Sequence, residues 1–447
     1  MRFATFGWGG PGGSSTGFGN FEEIGPLDSD LKPRKTTWLQ AASLLFVDNP
    51  VGTGFSYVNN SGAYAKDLAM VASDMMVLLK AFFSCHKEFQ TVPFYIFSES
   101  YGGKMAAGIG LELYKDLRSE AYFPLELDAR YYNSFIKRRG SCSKPAIQHM
   151  PFEAGTPRPG PFSKGPSSAT LLGLLWVIPG SPLLVVDTRL GGEQGYTDMP
   201  LDFKKSLLED KGLAEVSKVA EQVLNAINKE LYREATVLWG KAEMIIEQNT
   251  DGVNFYNILT RSPPTSTMES SLEFTQSHLV RLCQRHVRHL QRDALSRLMN
   301  GPIRKKLKII PEDQTWGGQA TNVFKNMEGD FMKPVISIVD ELLEAGINVT
   351  VYNGQLDLIV DTMAVNARPF SPGQEAWVRK LRWPELPKFN QLKWKALYSD
   401  PKSSETSAFV KSYKNLAFYW ILKAGHMVPS DQGDMALKMM RLVTQQE

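Results

Sequence analysis

The sequence predicts an α/β protein: a mostly parallel sheet flanked by helices, with a helical insertion laid over it. Three observations lead there. Short apolar runs at Ser43 to Asp48, Phe94 to Phe97, Asn348 to Asn353 and Ala417 to Leu422 have the length and the β-branched or aromatic content of buried strands. The first two are separated by Lys66 to Phe83, where Leu68, Val71, Ala72, Met75, Leu79 and Phe82 form a stripe at helical spacing. Strand, helix, strand, helix in succession needs crossover connections, and these place helices on both faces of a parallel sheet. Finally, a serine, an aspartate and a histidine each stand just past a strand, at the carboxyl edge where sheets of this kind carry their chemistry.

Composition narrows the function classes. The 447 residues can bury a large core, as one big domain or two smaller ones. A net charge of +3 is too small to argue for nucleic acid or an anionic membrane as partner. The longest apolar stretch, Leu171 to Val186, is interrupted by Pro179-Gly-Ser-Pro182 and falls short of the roughly 20 residues that span a bilayer. Residues 1 to 20 lack the basic start and apolar core of a secretory leader. Three cysteines, Cys85, Cys142 and Cys283, leave at least one thiol outside any internal pair, so the count does not fix the compartment. Asn59-Asn-Ser61 and Asn348-Val-Thr350 are glycosylation triplets, each weak evidence for secretion on its own.

Taken in order, the chain opens on a short aromatic segment and then Gly9-Gly-Pro-Gly-Gly-Ser-Ser-Thr-Gly-Phe-Gly19. Glycine there permits close backbone approach, so amides can face an anion; a flexible turn explains the same composition. After the Phe94 run, Ser98-Glu-Ser-Tyr-Gly-Gly-Lys104 leads into a helical pattern through Met105, Ile109, Leu111 and Leu113. Strand, sharp turn and helix with Ser100 at the turn is the setting of a nucleophile elbow, although serine in such a place often only caps a helix. From about 117 to 202 no period holds, and eight prolines lie between Pro145 and Pro182, so this segment reads as long loop or disorder. Helical spacing returns over Leu207 to Gln248 and Met268 to Leu298. Cys283, His286 and His289 lie three apart, but a zinc site needs a fourth ligand, so a surface or capping role is the expectation and no metal is assigned. Arg281, Arg285, Arg288 and Arg292 read as a solvated face. Asp357 follows the Asn348 strand, His426 follows the Ala417 strand, and a helix from about Asp431 to Val443 closes the chain.

Singly, a loop aspartate and a loop histidine carry little weight. Together, Ser100, Asp357 and His426 have the order and the strand-end contexts of an α/β-hydrolase. His426 would take the proton of Ser100, Asp357 would orient the imidazole, and the Gly9 to Gly13 loop would supply an oxyanion hole.

The chain resembles the serine carboxypeptidases. The matching stretches are Gly9-Gly-Pro-Gly-Gly-Ser-Ser15, Phe46-Val-Asp-Asn-Pro-Val-Gly-Thr-Gly-Phe-Ser56, Ser98-Glu-Ser-Tyr-Gly-Gly103, Tyr352-Asn-Gly-Gln-Leu-Asp357 and Ala424-Gly-His-Met-Val-Pro429. They span roughly residues 9 to 116 and 205 to 447. The resemblance implies release of one residue at a time from a peptide C-terminus, often at acid pH, in a lysosomal or secreted setting, by an enzyme that is often a homodimer and needs no cofactor. By position it gives Ser100, Asp357 and His426 as triad, the amides of Gly10 and Tyr101 as oxyanion hole, and Glu23 and Glu99 as the pair that binds the substrate's terminal carboxylate. Two adjacent carboxyls share a proton at low pH and can then donate to that carboxylate; once both ionise they repel it. It also implies four segments: residues 1–116 as the first part of the core, 117–204 as a Pro-rich replacement for a central strand, 205–330 as a helical cap, and 331–447 as the rest of the core. Trp8 stands where the family carries an amide side chain, Gly13 stands where many relatives carry cysteine, and Ala364 to Pro372 reads as an insertion. A lipase or esterase on the same fold, and a catalytically impaired chain that only binds partners or peptides, are the alternatives. Activity on a free C-terminal carboxylate, set against a blocked amide or a fatty ester, separates them.

Overall fold

A computed structural model of the chain describes residues 3–7, 13–118, 173–174, 208–260, 278–287, 293–359 and 373–446. The described strands are β1 (Phe3–Gly7), β2 (Ser43–Phe46), β3 (Phe94–Ser98), β4 (Gly173–Leu174), β5 (Val349–Gly354), β6 (Lys395–Leu397), β7 (Ala408–Tyr413) and β8 (Leu416–Ile421). They form a sheet in the order β2-β1-β3-β4-β5-β8-β7-β6. From β2 to β8 every pairing is parallel, and β8-β7-β6 closes the edge antiparallel. The four expected strands are present. β1 lies in the short aromatic opening that carried no strand expectation. It pairs with both β2 and β3, which is legible only from its partners. A second correction concerns 117–204. The central strand expected to be missing has an occupant from that very segment: Gly173 pairs with Ile96 on one side and Val349 on the other.

The core lies on both faces of the sheet, and the period of two decides which residue goes where. On β3, Phe94 and Ile96 face one apolar layer while Tyr95 and Phe97 face the other. On β8, Leu416 and Phe418 go to the first layer and Tyr419 and Ile421 to the second. β3 and β5 are buried along their whole length, as central parallel strands covered on both faces should be.

Helix α1 (Leu68–Cys85) starts at Asp67, whose side chain accepts from Met70 N. Its buried stripe runs through Val71, Met75, Leu79 and Phe83 onto the first layer, and Phe83 meets Phe94 edge to face at 5.3 Å. By length and composition α1 could also cross a membrane. Its packed stripe is that of a core helix. Helix α2 (Tyr101–Arg118) follows β3 after two residues and is buried on nearly every side through its first three turns. Then come the long hairpin of α3 (Asp210–Asn228) and α4 (Tyr232–Asn249), followed by α5 (His278–His286), α6 (Asp293–Leu298), α7 (Arg304–Leu307), α8 (Ala320–Asn326) and α9 (Glu328–Phe331). The rest are α10 (Ile336–Glu344), α11 (Gly373–Val378), α12 (Leu386–Gln391), α13 (Val428–Asp431) and α14 (Gly433–Val443). The residues 360–372, which include the expected insertion, lie outside the described part.

One buried carboxylate fastens α9 to the core. Asp330 Oδ1 accepts Leu68 N at 3.2 Å, and its Oδ2 accepts the Tyr101 hydroxyl at 2.6 Å and pairs with Lys104 Nζ at 2.6 Å. Lys104 Nζ also reaches the Asp330 carbonyl. Burial draws the Lys104 ammonium down to about 8 against the pull of Asp330. Removing one member of such a pair leaves the other as a buried, unmatched charge. Asp330→Ala should therefore cost about 3–5 kcal/mol, read as a lower urea midpoint. A midpoint equal to that of the wild type would show that the pair does not fasten α9.

Candidate active site

Ser100 stands between β3 and α2 at φ +62°. For a residue with a side chain this left-handed backbone costs about 1–3 kcal/mol, so the surroundings must impose it. They do so from both sides. β3 is fixed by its pairing with β1, and the first turn of α2 closes tightly, Gly102 N donating to Glu99 O at 3.0 Å and Gly103 N to Ser100 O at 2.9 Å. The ring of Tyr101 stacks on Phe331 at 5.5 Å while its hydroxyl is held by Asp330. Ser100 is thus half-buried on a rigid elbow, with the positive end of an 18-residue helix beside it.

Asp357 and His426 come from loops after neighbouring strands, β5 and β8. The His426 Nδ1 and Asp357 Oδ2 atoms are 3.0 Å apart, with both side chains almost wholly buried. The two loops are fitted backbone to backbone. Leu356 N donates to Ala424 O at 2.7 Å, and a Cβ on Gly354 would lie 2.0 Å from Gly425 O. The elbow reaches the histidine loop through Glu99, whose Oε1 accepts Val428 N at 3.2 Å. Hence Ser100, Asp357 and His426 stand along one carboxyl edge of the sheet.

Glu23, on the helical turn Ser15–Ile24, is buried beside Glu99. Among the described residues no donor reaches either of its oxygens. Burial foremost, and then the charge of Glu99, pushes the Glu23 carboxyl well above its usual range against the pull of Arg34. A proton on one carboxyl can be donated to the other, and this satisfies the pair only while it is singly protonated.

The sequence reading missed Asp48. It is buried and accepts Ser14 Oγ at 2.8 Å, Thr16 N at 3.0 Å, Thr16 Oγ1 at 2.5 Å and Phe55 N at 2.9 Å. These bonds tie the end of the Gly-rich loop to the end of β2. Aspartate closing an apolar strand beside Asn-Pro was the available signal. Gly10 lies outside the described residues, as do Trp8 and Cys142. The cysteine and histidine of α5 are not at the surface. Cys283 is buried with its thiol donating to Thr321 Oγ1 at 3.6 Å, and His286 is buried 2.8 Å from Glu243. His289 is outside the described residues. No cluster that could hold a metal occurs among those described. Arg285 is not simply solvated either, since it pairs with Glu243 at 2.8 Å and also with Glu247.

A parallel sheet whose edge carries a serine elbow and a buried aspartate–histidine pair defines an α/β-hydrolase. The comparisons place it more narrowly. The family model for serine carboxypeptidases matches residues 8–135 and 191–446, so the unmatched stretch is shorter than 117–204. The retinoid-inducible serine carboxypeptidase of Homo sapiens is 76% identical over 439 residues, covering 98% of this chain and 83% of the relative. The serine carboxypeptidase-like 51 protein of Arabidopsis thaliana is 37% identical over 448 residues, again covering 98% and 83%. Among solved structures, Kex1Δp, a prohormone-processing carboxypeptidase from Saccharomyces cerevisiae, aligns with a TM-score of 0.68, covering 100% of this chain and 83% of that one. At 20% identity that match speaks for the fold alone. The chain belongs to the serine carboxypeptidase family.

The Glu23 shift has a sign that can be measured. A carboxyl raised on folding contributes stability below its unfolded value near 4.5, and that stability is lost as pH rises through the folded value. Glu23→Gln removes the loss. The melting temperature of the variant relative to wild type should therefore climb between pH 4 and pH 7, and a constant difference would contradict the burial and pairing of Glu23.

Proposed function

We propose that this chain is a serine-type carboxypeptidase that releases C-terminal residues from peptides through an acyl-enzyme. The observation that carries the reading is the buried Asp357–His426 hydrogen bond of 3.0 Å at the same sheet edge as the strained Ser100 elbow. His426 accepts the Ser100 proton as Oγ attacks the scissile carbonyl, and Asp357 holds Nδ1–H and balances the imidazolium. The developing oxyanion meets the amides of Tyr101 and Gly10, the first being the leading residue of α2. The imidazolium then protonates the departing amine, and the C-terminal amino acid leaves. Water, deprotonated by His426, opens the ester and regenerates Ser100.

Glu23 and Glu99 serve as the carboxylate site. With one proton between them they donate to the terminal carboxylate of the peptide; with none they repel it. Binding therefore favours acid pH. The helices of residues 205–330 act as the cap over this edge. The family setting suggests a secretory or lysosomal route and a homodimer. Asn59 is exposed and suits glycosylation better than Asn348, whose triplet ends in Thr350, buried in β5.

Two outcomes test this reading. Ser100→Ala should abolish release of amino acids from a short peptide and labelling by a fluorophosphonate, with the melting temperature unchanged; equal turnover would remove Ser100 from the chemistry. Glu99→Gln should raise KM for a free C-terminus several-fold and flatten the acid optimum, and a superimposable pH profile would rule out the shared-proton site.

A further inference from the structure

The four residues Phe255 to Ile258 run from the far end of α4 across the loops that carry Asp357 and His426. The Phe255 carbonyl accepts Leu358 N at 3.0 Å and Ile359 N at 2.9 Å, and Ile258 N donates to Leu356 O at 3.1 Å. Both neighbours of Asp357 are therefore held by this strip. The Tyr256 carbonyl accepts His426 N at 2.7 Å, and the Tyr256 ring stands edge to face with the His426 imidazole at 4.7 Å and 83°. Asn257 Nδ2 donates to Asp431 Oδ2 at 3.0 Å, and the same oxygen accepts Gly425 N at 2.7 Å. The fit is close enough that a Cβ on Gly425 would lie 2.2 Å from the Tyr256 carbonyl.

Tyr256 is itself fixed by a buried polar chain. Its hydroxyl lies 2.8 Å from His286 Nδ1, and His286 Nε2 lies 2.9 Å from Glu243 Oε2. Arg285 donates to Glu243 Oε2 at 2.8 Å, and Trp239 stacks on the His286 ring at 5.0 Å and 25°. Burial opposes ionisation of Glu243, but His286 and Arg285 outweigh it and hold the carboxyl below its usual range. Burial, with the charges of Glu243 and Asp357, keeps the Tyr256 hydroxyl neutral. The Glu243 carboxylate accepts the His286 Nε2 proton, and the Tyr256 hydroxyl is the hydrogen-bond partner of Nδ1 on the other side of the ring.

As a mere tie between α4 and α5 this chain would be a poor device, because a buried ion pair gains little over an apolar contact of the same volume. Its end point is what distinguishes it. The chain leads to Tyr256, which touches His426 through both its backbone carbonyl and its ring. We propose that Glu243, His286 and Tyr256 are positioning residues, which set the tilt of the His426 imidazole from the helical layer while Asp357 sets it from the sheet. No proton moves along this chain during turnover. The inference rests on the reading of Ser100, Asp357 and His426 as a catalytic set.

The test compares wild type, Tyr256→Phe, His286→Ala and His286→Gln. Tyr256→Phe keeps the ring and loses only the hydroxyl. It should lower kcat about tenfold, the loss of roughly one oriented hydrogen bond, while KM stays within about twofold. The rate of fluorophosphonate labelling should fall in step with kcat, and the melting temperature should change little. His286→Ala should lose at least as much kcat, and His286→Gln, whose amide can donate to Glu243 and accept from Tyr256, should recover part of it. If Tyr256→Phe melts early, the comparison of the two His286 variants decides. Wild-type kcat and labelling rate in folded Tyr256→Phe, or equal losses in His286→Gln and His286→Ala, would overturn the positioning role alone. A wild-type chain that does not label at Ser100 would overturn the catalytic set itself.

Discussion

The positive φ of Ser100 is the constraint around which the rest of the structure is arranged. Left to itself, a serine would relax out of the left-handed region and carry its hydroxyl away from the sheet edge. Three elements prevent this, and they come from distant parts of the sequence. β3 cannot shift without breaking its pairing with β1. Tyr101 cannot rotate without leaving Phe331 and Asp330, which belong to α9. Glu99 cannot move without releasing Val428, two residues beyond His426. The strained residue is therefore held by contacts of which one reaches the loop that carries His426. The strain is tolerable because it is shared with packing that the core needs in any case.

The second feature is the number of carboxylates kept dry along this edge, each solved differently. Asp48 is pushed upward by burial but met by four hydrogen-bond donors. Asp357 faces a histidine. Asp330 faces an ammonium and a phenol. Glu243 faces a guanidinium and an imidazole. Glu23 differs, since its neighbour is another acid. A protein gains no stability from two adjacent acids in a buried site, so this pair stands out as the one arrangement that stability does not explain.

Much of this could be read from residue order. Ser100, Asp357 and His426 were legible because the elbow and the strand ends are local features, each marked by glycines and an apolar run. Strands β3, β5 and β8 were legible because strands buried on both faces are apolar throughout. β1 and β4 were not. Gly173 and Leu174 pair on both sides and so count as central strand, yet two residues carry no period that a sequence reading could detect. The surface role expected for His286 failed for a related reason. Spacing along α5 places His286 and Cys283 on one side of a helix but does not say whether that side faces water; α4, some forty residues earlier, supplies Glu243 and settles it. Tyr256 left no trace at all, because its importance lies in its carbonyl and its neighbours rather than in a pattern.

That last point bears on how the helical layer relates to the sheet. Helices α3 and α4 form a long hairpin that could in principle sit on the core as an independent body. The segment leaving α4 makes that impossible, since its carbonyls at 255 and 256 accept amides from both chemical loops. Any movement of the hairpin is transmitted to residues 356, 358 and 359 and to His426. The converse also holds: the loops after β5 and β8 lose hydrogen bonds wherever the hairpin does not form. The segment after the hairpin and the two loops thus share one set of backbone hydrogen bonds. Glu243, on α4, is joined to the backbone of His426 by a path of named hydrogen bonds, each between 2.7 and 3.1 Å.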